Sequence, residues 1–184
     1  RFSRYLVNPM PTNTPNRLQR RLAQVDRLPL AIRAWARSKA LGRAVPLTGT
    51  CGLRYEEMRP ERVVISVANR GHVRNHIGGV HAMASTLAAE TATGMIMGLS
   101  VRDDCVNVVK DMRVQFKKRG QGAMRAVATL TPAQRELIQS TTKGEVTVPV
   151  TVTDESGNQP IECEFVWAWI PAQRPPKTET ANAT

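Results

Sequence analysis

The sequence predicts an α+β domain in which one antiparallel sheet packs against a single long helix. Three observations carry that prediction. Apolar residues alternate with period two from Leu53 to Val67 and again over much of Val106 to Trp169. Between them, Gly79 to Leu99 is too long for a strand and rich in small side chains, as a helix lying close against a sheet requires. A chain of 184 residues, 41% hydrophobic and 22% charged, suits one domain with a buried core and excludes collagen-like, disordered and disulfide-scaffold classes.

Residues 1–14 contain Pro9 and Pro11 and no periodicity, so they read as an extended leader. Thr14 before Pro15 predicts a helix start: a hydroxyl to cap, then proline where its missing N–H is not needed. Leu18, Leu22, Val25 and Leu28 then share a face, with Arg17, Arg20, Arg21 and Arg27 largely off it. Pro29 breaks that helix and opens a second, with Leu30, Ala34, Trp35, Ser38 and Leu41 on one side, Arg33, Arg37 and Lys39 elsewhere, and Gly42 at its end. The pair is a basic amphipathic hairpin. Its apolar side is expected to pack on the same protein, with a membrane or RNA contact as the alternative. Leu53–Tyr55 and Val63–Val67 predict two strands turning at Arg59, Pro60 and Glu61. After the long helix come strands at Val106–Phe116 and Met124–Leu130, then a short polar helix at Pro132–Ser140. A hairpin follows, Val146–Val152 and Ile161–Trp169 around a turn at Asp154–Asn158, with Pro149 marking an edge or bulge. The expected division is a basic arm and helical hairpin at 1–43, the sheet-and-helix domain at 44–171, and a loose tail at 172–184.

The net charge of +11 is uneven. Residues 1–43 hold ten Arg and Lys against one acid, Asp26, for +9, whereas the rest of the chain carries only +2. The high isoelectric point therefore describes an arm. Nucleic-acid binding is not expected, because the arm's only aromatics are Phe2, Tyr5 and Trp35 and no recognised motif accompanies them. Cys51, Cys105 and Cys163 lie more than fifty residues apart and read as small core residues in a reducing compartment. No run is long and apolar enough to predict a membrane span. A cytoplasmic location follows; the Arg-rich, acid-poor start also fits the remnant of an import signal, which makes the mitochondrial matrix the alternative.

Chemistry concentrates around one anomaly. Between Ala82 and Val101 the only charge is Glu90, among Ala, Met, Leu, Gly and Ile. Burying a carboxylate is expensive unless it is paired, hydrogen-bonded or hydrated, so its place needs a partner or a function. His72, His76 and His81 lie just upstream beside Asn75 and Gly78-Gly79, without HExxH spacing or a nearby cysteine, so no metal is expected. His81 and Glu90 are about 900 degrees of helix rotation apart and would point to opposite sides of one helix. They could serve one substrate across two copies of the helix, or if His81 sits at the helix mouth; a capping or core histidine is the plainer reading.

The segment Asn75-His76-Ile77-Gly78-Gly79-Val80-His81-Ala82-Met83-Ala84, running on to Ala88-Ala89-Glu90, resembles the motif of hotdog-fold acyl-CoA thioesterases of the phenylacetate-pathway type. That motif has an Asn, a Gly three positions on, a His six positions on, a small residue after it, and an acid fifteen positions after the Asn. The surroundings, from Leu28-Pro29 through Val45-Pro46-Leu47-Thr48-Gly49-Thr50 to Lys117-Lys118, are similar to a thioesterase-like branch of that superfamily, over roughly residues 28–171. The resemblance implies a hotdog fold, an antiparallel sheet wrapped around a long central helix, and hydrolysis of an acyl-CoA thioester at a dimer interface, in a homodimer or dimer of dimers. It implies Glu90 as nucleophile or general base and the Ala82 N–H as donor to the thioester oxygen, with Asn75 and His81 orienting substrate or water. Coenzyme A enters as part of the substrate, and no cofactor is expected. Arg113, Lys117, Lys118 and Arg119 are the candidate cations for its phosphates, against the plain reading of a charge-protected edge strand. Relatives have Gly-Gly where this chain has Ala82-Met83. The alternative is thus a catalytically inactive hotdog, an acyl-binding or structural subunit of a larger mitochondrial assembly docked through the basic arm.

Overall fold

The computed structural model describes residues 14–172. The expected leader, except Thr14, and the tail beyond Ala172 lie outside the described residues. Helix α1 spans Arg17–Val25, α2 Leu30–Ala44 and the short α3 Pro46–Thr50. Strands β1 (Arg54–Met58) and β2 (Arg62–Val67) lead through a 3-10 turn at Gly71–Val73 into α4 (Ala82–Ser100). Then come β3 (Cys105–Phe116), β4 (Met124–Thr129), α5 (Pro132–Ser140), β5 (Gly144–Val148), β6 (Val150–Asp154) and β7 (Ile161–Pro171). The strands form one antiparallel sheet in the order β1-β2-β4-β6-β7-β3, with β5 beside β7. This is the hotdog arrangement, α4 being the helix that the sheet wraps.

Small residues set the depth of α4. Ala84, Ala88 and Ala92, at four-residue spacing, are buried with Ala89 where the helix packs on β2 and β4. Gly94 lies against Trp167 so closely that a methyl there would sit 2.8 Å from the ring, and the indole N–H is held by the Thr93 hydroxyl at 3.0 Å. Opposite that packing, Val63, Ile65, Ala126, Ala128 and Val152 fill the concave side of the sheet. The single strand expected over Val146–Val152 is divided at Pro149, since β5 bonds to β7 while β6 bonds mainly to β4. A residue without an N–H falls where the chain passes from one ladder to the next.

The helical hairpin departs from its reading in three ways. The N-cap of α1 is Asn16 and not Thr14, because Asn16 and Gln19 form a reciprocal capping box with both bonds at 2.9 Å. The same Asn16 amide donates to the Gly98 and Val101 carbonyls at 2.9 and 2.8 Å, satisfying the end of α4, which would otherwise expose unpaired acceptors. Helix α2 is rotated relative to expectation: Arg37, placed on its solvent side, is only 9% exposed, while Trp35, placed on its packed side, is 61% exposed. Arg37 turns inward because it finds Asp26 and the Glu56 carbonyl, and Ser38 beside it accepts the Tyr55 N–H at 2.9 Å. Helix α3 was not visible as periodicity, being one turn opened by Pro46.

Leu22 of α1 belongs to the core, whereas Leu30 at the start of α2 is 80% exposed. Leu22→Ala should therefore cost roughly 2–5 kcal/mol and Leu30→Ala should change stability by less than about 0.5 kcal/mol. Urea unfolding of the two variants measures both; equal effects would mean that α1 does not dock as described.

Candidate active site

The site is built around the start of α4. The His81 N–H donates to the Val73 carbonyl at 2.7 Å, and Arg74 bridges Val80, so the loop 74–80 closes on itself just before the helix. Asn75 governs that loop: its side-chain oxygen accepts the N–H groups of Ile77 and Gly79 at 3.1 and 3.0 Å, and Gly78 turns at φ +81°, where a side chain would be strained. His81 is the N-cap. Its backbone lies outside the helical region (φ −58°, ψ 141°) and its Nδ1 accepts the Met83 N–H at 3.1 Å. Ala82 is the first helical residue, and among the described residues its N–H has no partner.

Two hollows flank this helix end. One, of about 390 Å³, is lined by Leu47, Cys51, His72, His81, Met83, Thr86, Leu87, Glu90 and Met112. Met83, Thr86, Leu87 and Glu90 follow the three- and four-residue spacing of one helix face, the face of α4 turned away from the sheet. The other, of about 160 Å³, is lined by Asn75, Ala82, Phe116, Lys118 and Arg119 among others. The structure thus brings His81 and Glu90 to one hollow within one chain. As a cap, His81 leaves the helical rotation that placed the pair on opposite sides, so the case for two copies loses that support.

Lys118 and Arg119 come to Asn75 and Ala82, and Arg119 also donates to the Ile77 carbonyl. Arg113 and Lys117 do not line either hollow; Lys117 is paired with Glu162 at 2.9 Å. The reading from sequence missed the rest of the apolar wall. Thr86 and Leu87 could have been found from their spacing to Glu90, but Leu47, Cys51 and His72 come from a one-turn helix, its end and a 3-10 turn, which carry no periodic signal.

Glu90 is half-buried, and burial pushes its carboxyl above the ordinary 4.5, offset in part by the Thr91 hydroxyl at 3.5 Å. Tyr55 reports the same charge. Its buried hydroxyl, bonded to Thr48 at 3.0 Å, is pushed up by burial and by the nearby Glu90 carboxylate. Among the described residues no three His, Cys, Asp or Glu side chains gather as metal ligands.

Comparison with known proteins places this geometry. A family model described as a domain of unknown function, DUF4442, matches residues 33–170. The chain belongs to the DUF4442 family. No curated protein matches it. Among solved structures, this DUF4442 chain is similar to genomics target APC5556, at 24% identity, TM-score 0.66, over 83% of this chain and 97% of the other. It is similar to a Pseudomonas aeruginosa protein of unknown function described as a probable thioesterase, at 22% identity, TM-score 0.66, over 79% and 97%. A Haemophilus influenzae thioesterase matches at 12% identity, TM-score 0.60, over 74% and 92%. At these identities the likeness establishes the fold alone: the chain has the hotdog fold.

The raised Glu90 gives a stability test that needs no substrate. Folded Glu90 holds its proton to higher pH than the unfolded chain does, so between 4.5 and the raised value the folded state binds more protons and stability falls as pH rises. Above that window Glu90→Gln should melt at or above the wild-type temperature, and thermal melts across pH read this directly. A clear loss of melting temperature at neutral pH would make Glu90 a structural acceptor.

Proposed function

We propose that the chain hydrolyses acyl-CoA thioesters at the start of α4. The observation that carries the reading is a half-buried carboxylate with no ion pair among the described residues, in an apolar hollow, on the helix whose first residue lines a second, basic hollow. In this reading the acyl chain lies among Leu47, Met83, Leu87 and Met112, and the phosphates of coenzyme A lie toward Lys118 and Arg119. The thioester then straddles the helix end, where the Ala82 N–H and the helix dipole stabilise negative charge on its oxygen. Glu90 lies eight residues, about 12 Å of helix, beyond Ala82, so the two meet one carbonyl only across the dimer interface, the N–H from one copy and the carboxylate from the other. That carboxylate takes a proton from water as water attacks the carbonyl carbon; the C–S bond breaks and the coenzyme A thiolate leaves, then takes up a proton. Attack by Glu90 itself, through an anhydride, uses the same placement. Asn75 supports the loop before the helix, and His81 fixes the first turn. The thioesterase names of similar folds and the spacing of Asn75, His81, Ala82 and Glu90 support this reading.

Assembly as a dimer belongs to the same proposal. Strand β3 has twelve residues at the end of the sheet, bonds only to β7, and exposes Val106, Val108, Val109, Met112 and Phe116. A long apolar edge of this kind is a template for a second copy. Since Met112 also lines the Glu90 hollow, a partner on β3 would close that hollow's mouth. Three free cysteines suit a reducing compartment, cytoplasm or mitochondrial matrix.

Two substitutions test the chemistry. Glu90→Gln keeps shape but cannot take a proton, and should lower kcat by roughly 10²-fold or more with acyl-CoA binding retained. Ala82→Pro removes the N–H at the one helical position where proline is tolerated, and should lower kcat by about 10²–10³-fold in a folded protein. An assay against short, medium, long and aromatic acyl-CoAs reads both. Turnover unchanged in folded Glu90→Gln removes Glu90 from the mechanism; binding without wild-type turnover on any acyl-CoA favours the non-catalytic acyl-binding subunit.

For the dimer, light scattering of the wild type should give twice the 20.3 kDa chain mass. Val108→Glu should shift it to the single-chain mass by placing a charge on the apolar edge. A wild-type monomer that turns over substrate would remove the shared interface from the proposal.

A further inference from the structure

The rotation of α2 leaves an outer face that the site does not use. Ile32, Trp35, Lys39 and Arg43 follow one another at intervals of three, four and four residues, and all are exposed. Helix α2 contains no acidic residue, and Asp26, the only carboxylate between residues 14 and 55, is taken by Arg37. Lys39 and Arg43 form no ion pair among the described residues. The face therefore presents a large aromatic ring, the branched Ile32 and bare cations together.

We propose that the outer face of α2 docks on the surface of an anionic phospholipid bilayer, with Trp35 and Ile32 entering the headgroup boundary and Lys39 and Arg43 meeting lipid phosphates. Each half of the patch argues against another occupant. A second copy meeting this face through a two-fold axis would set Lys39 and Arg43 against the same cations. A simple solvated face would leave in water a ring that gains from burial, whereas at a lipid interface the ring and the alkyl stems of Lys39 and Arg43 are covered while the charges stay hydrated. Helix α2 packs on β1, at the opposite end of the strand order from β3, so a dimer through β3 leaves this face available. No described helix is long and apolar enough to cross a membrane, so the contact is peripheral.

The consequence for the site is proximity. Helix α3, five residues or roughly 8 Å of helix, carries the chain from α2 to the wall of the Glu90 hollow, where Leu47 sits. A bilayer held by α2 thus lies one short helix from a cavity suited to an acyl chain. The docking itself does not depend on hydrolysis and is tested without substrate.

The test uses the full chain and its own reporter. Trp167 and Trp169 are buried, so a change in tryptophan emission on adding vesicles comes from Trp35. Vesicles of phosphatidylcholine with roughly one-third phosphatidylglycerol should carry the protein in flotation and shift its emission to the blue, whereas phosphatidylcholine alone should do neither. The double variant Lys39→Gln, Arg43→Gln should weaken binding roughly 30-fold, at about a tenfold or smaller loss for each cation removed. Trp35→Ser should weaken it too, with the circular dichroism unchanged. Equal binding to neutral vesicles, no binding to anionic ones, or binding that survives both variants overturns the proposal, the last outcome placing the contact elsewhere on the chain. Polyuridylate binding that depends on Lys39 and Arg43 but not Trp35, without vesicle binding, would make the face a nucleic-acid contact instead. A change of mass in light scattering on Trp35→Ser would make it a contact between copies; either result overturns it.

Discussion

The close approach of α4 to the sheet is the constraint on which the other features rest. With alanine at 84, 88 and 92 and glycine at 94, the helix settles onto β2 and β4 on one side and against Trp167 on another. A bulkier residue at any of these positions would lift or tilt the helix. Once both sides are fixed, the face bearing Met83, Thr86, Leu87 and Glu90 has one direction left to take, outward from the sheet into a hollow. The axial position is fixed independently at each end. The Val73 carbonyl holds the His81 N–H, and the Asn16 amide holds the last carbonyls. The place of Glu90 is thus set by packing and capping, and among the described residues its carboxylate forms no ion pair and accepts only the Thr91 hydroxyl.

Much of this was legible in the sequence, and the failures share a cause. Period-two runs located the strands, and the lone charge among small residues located the helix and its exceptional residue. What periodicity could not supply was rotation and termini. A helical wheel assumes that every residue obeys the same turn angle; His81 is instead the cap, the plainer reading of the sequence, and from the helix mouth it shares a hollow with Glu90. In α2 the wheel was correct and the chemistry was not: a guanidinium was assumed to prefer water over Asp26 and a backbone carbonyl, and a tryptophan to prefer the core. Arginine can satisfy its charge inside when an acid and an acceptor are waiting, and neither was visible as a neighbour in the sequence.

The candidate cations show the same limit. Four basic residues within seven positions read as a single phosphate site, but a strand end and the loop after it send them in different directions. Lys117 closes an ion pair across to β7, Lys118 donates to Asn158 at 3.1 Å, and only Arg119 reaches the loop that Asn75 organises, at the Ile77 carbonyl. Charge density along a chain says how many cations there are. Only the backbone path says which of them can meet one anion.

The two hollows also separate questions that the motif alone combines. Replacement of Gly-Gly by Ala82-Met83 touches both the N–H donor and the pocket wall, and from sequence it argues against turnover as a whole. In the structure the two residues face different spaces: Ala82 lines the basic hollow and keeps an unpartnered N–H, while Met83 lines the apolar one, near its mouth with Met112. The methyl of Ala82 points from a backbone that still offers the donor, so the electrostatic requirement for an oxyanion is met as it would be with glycine. The Met83 side chain instead narrows or reshapes the apolar wall, and methionine, unbranched and flexible, adapts to what it contacts. In the proposed reading, the departure from Gly-Gly therefore bears on which acyl groups fit beside Glu90, and leaves a backbone donor at the start of the helix.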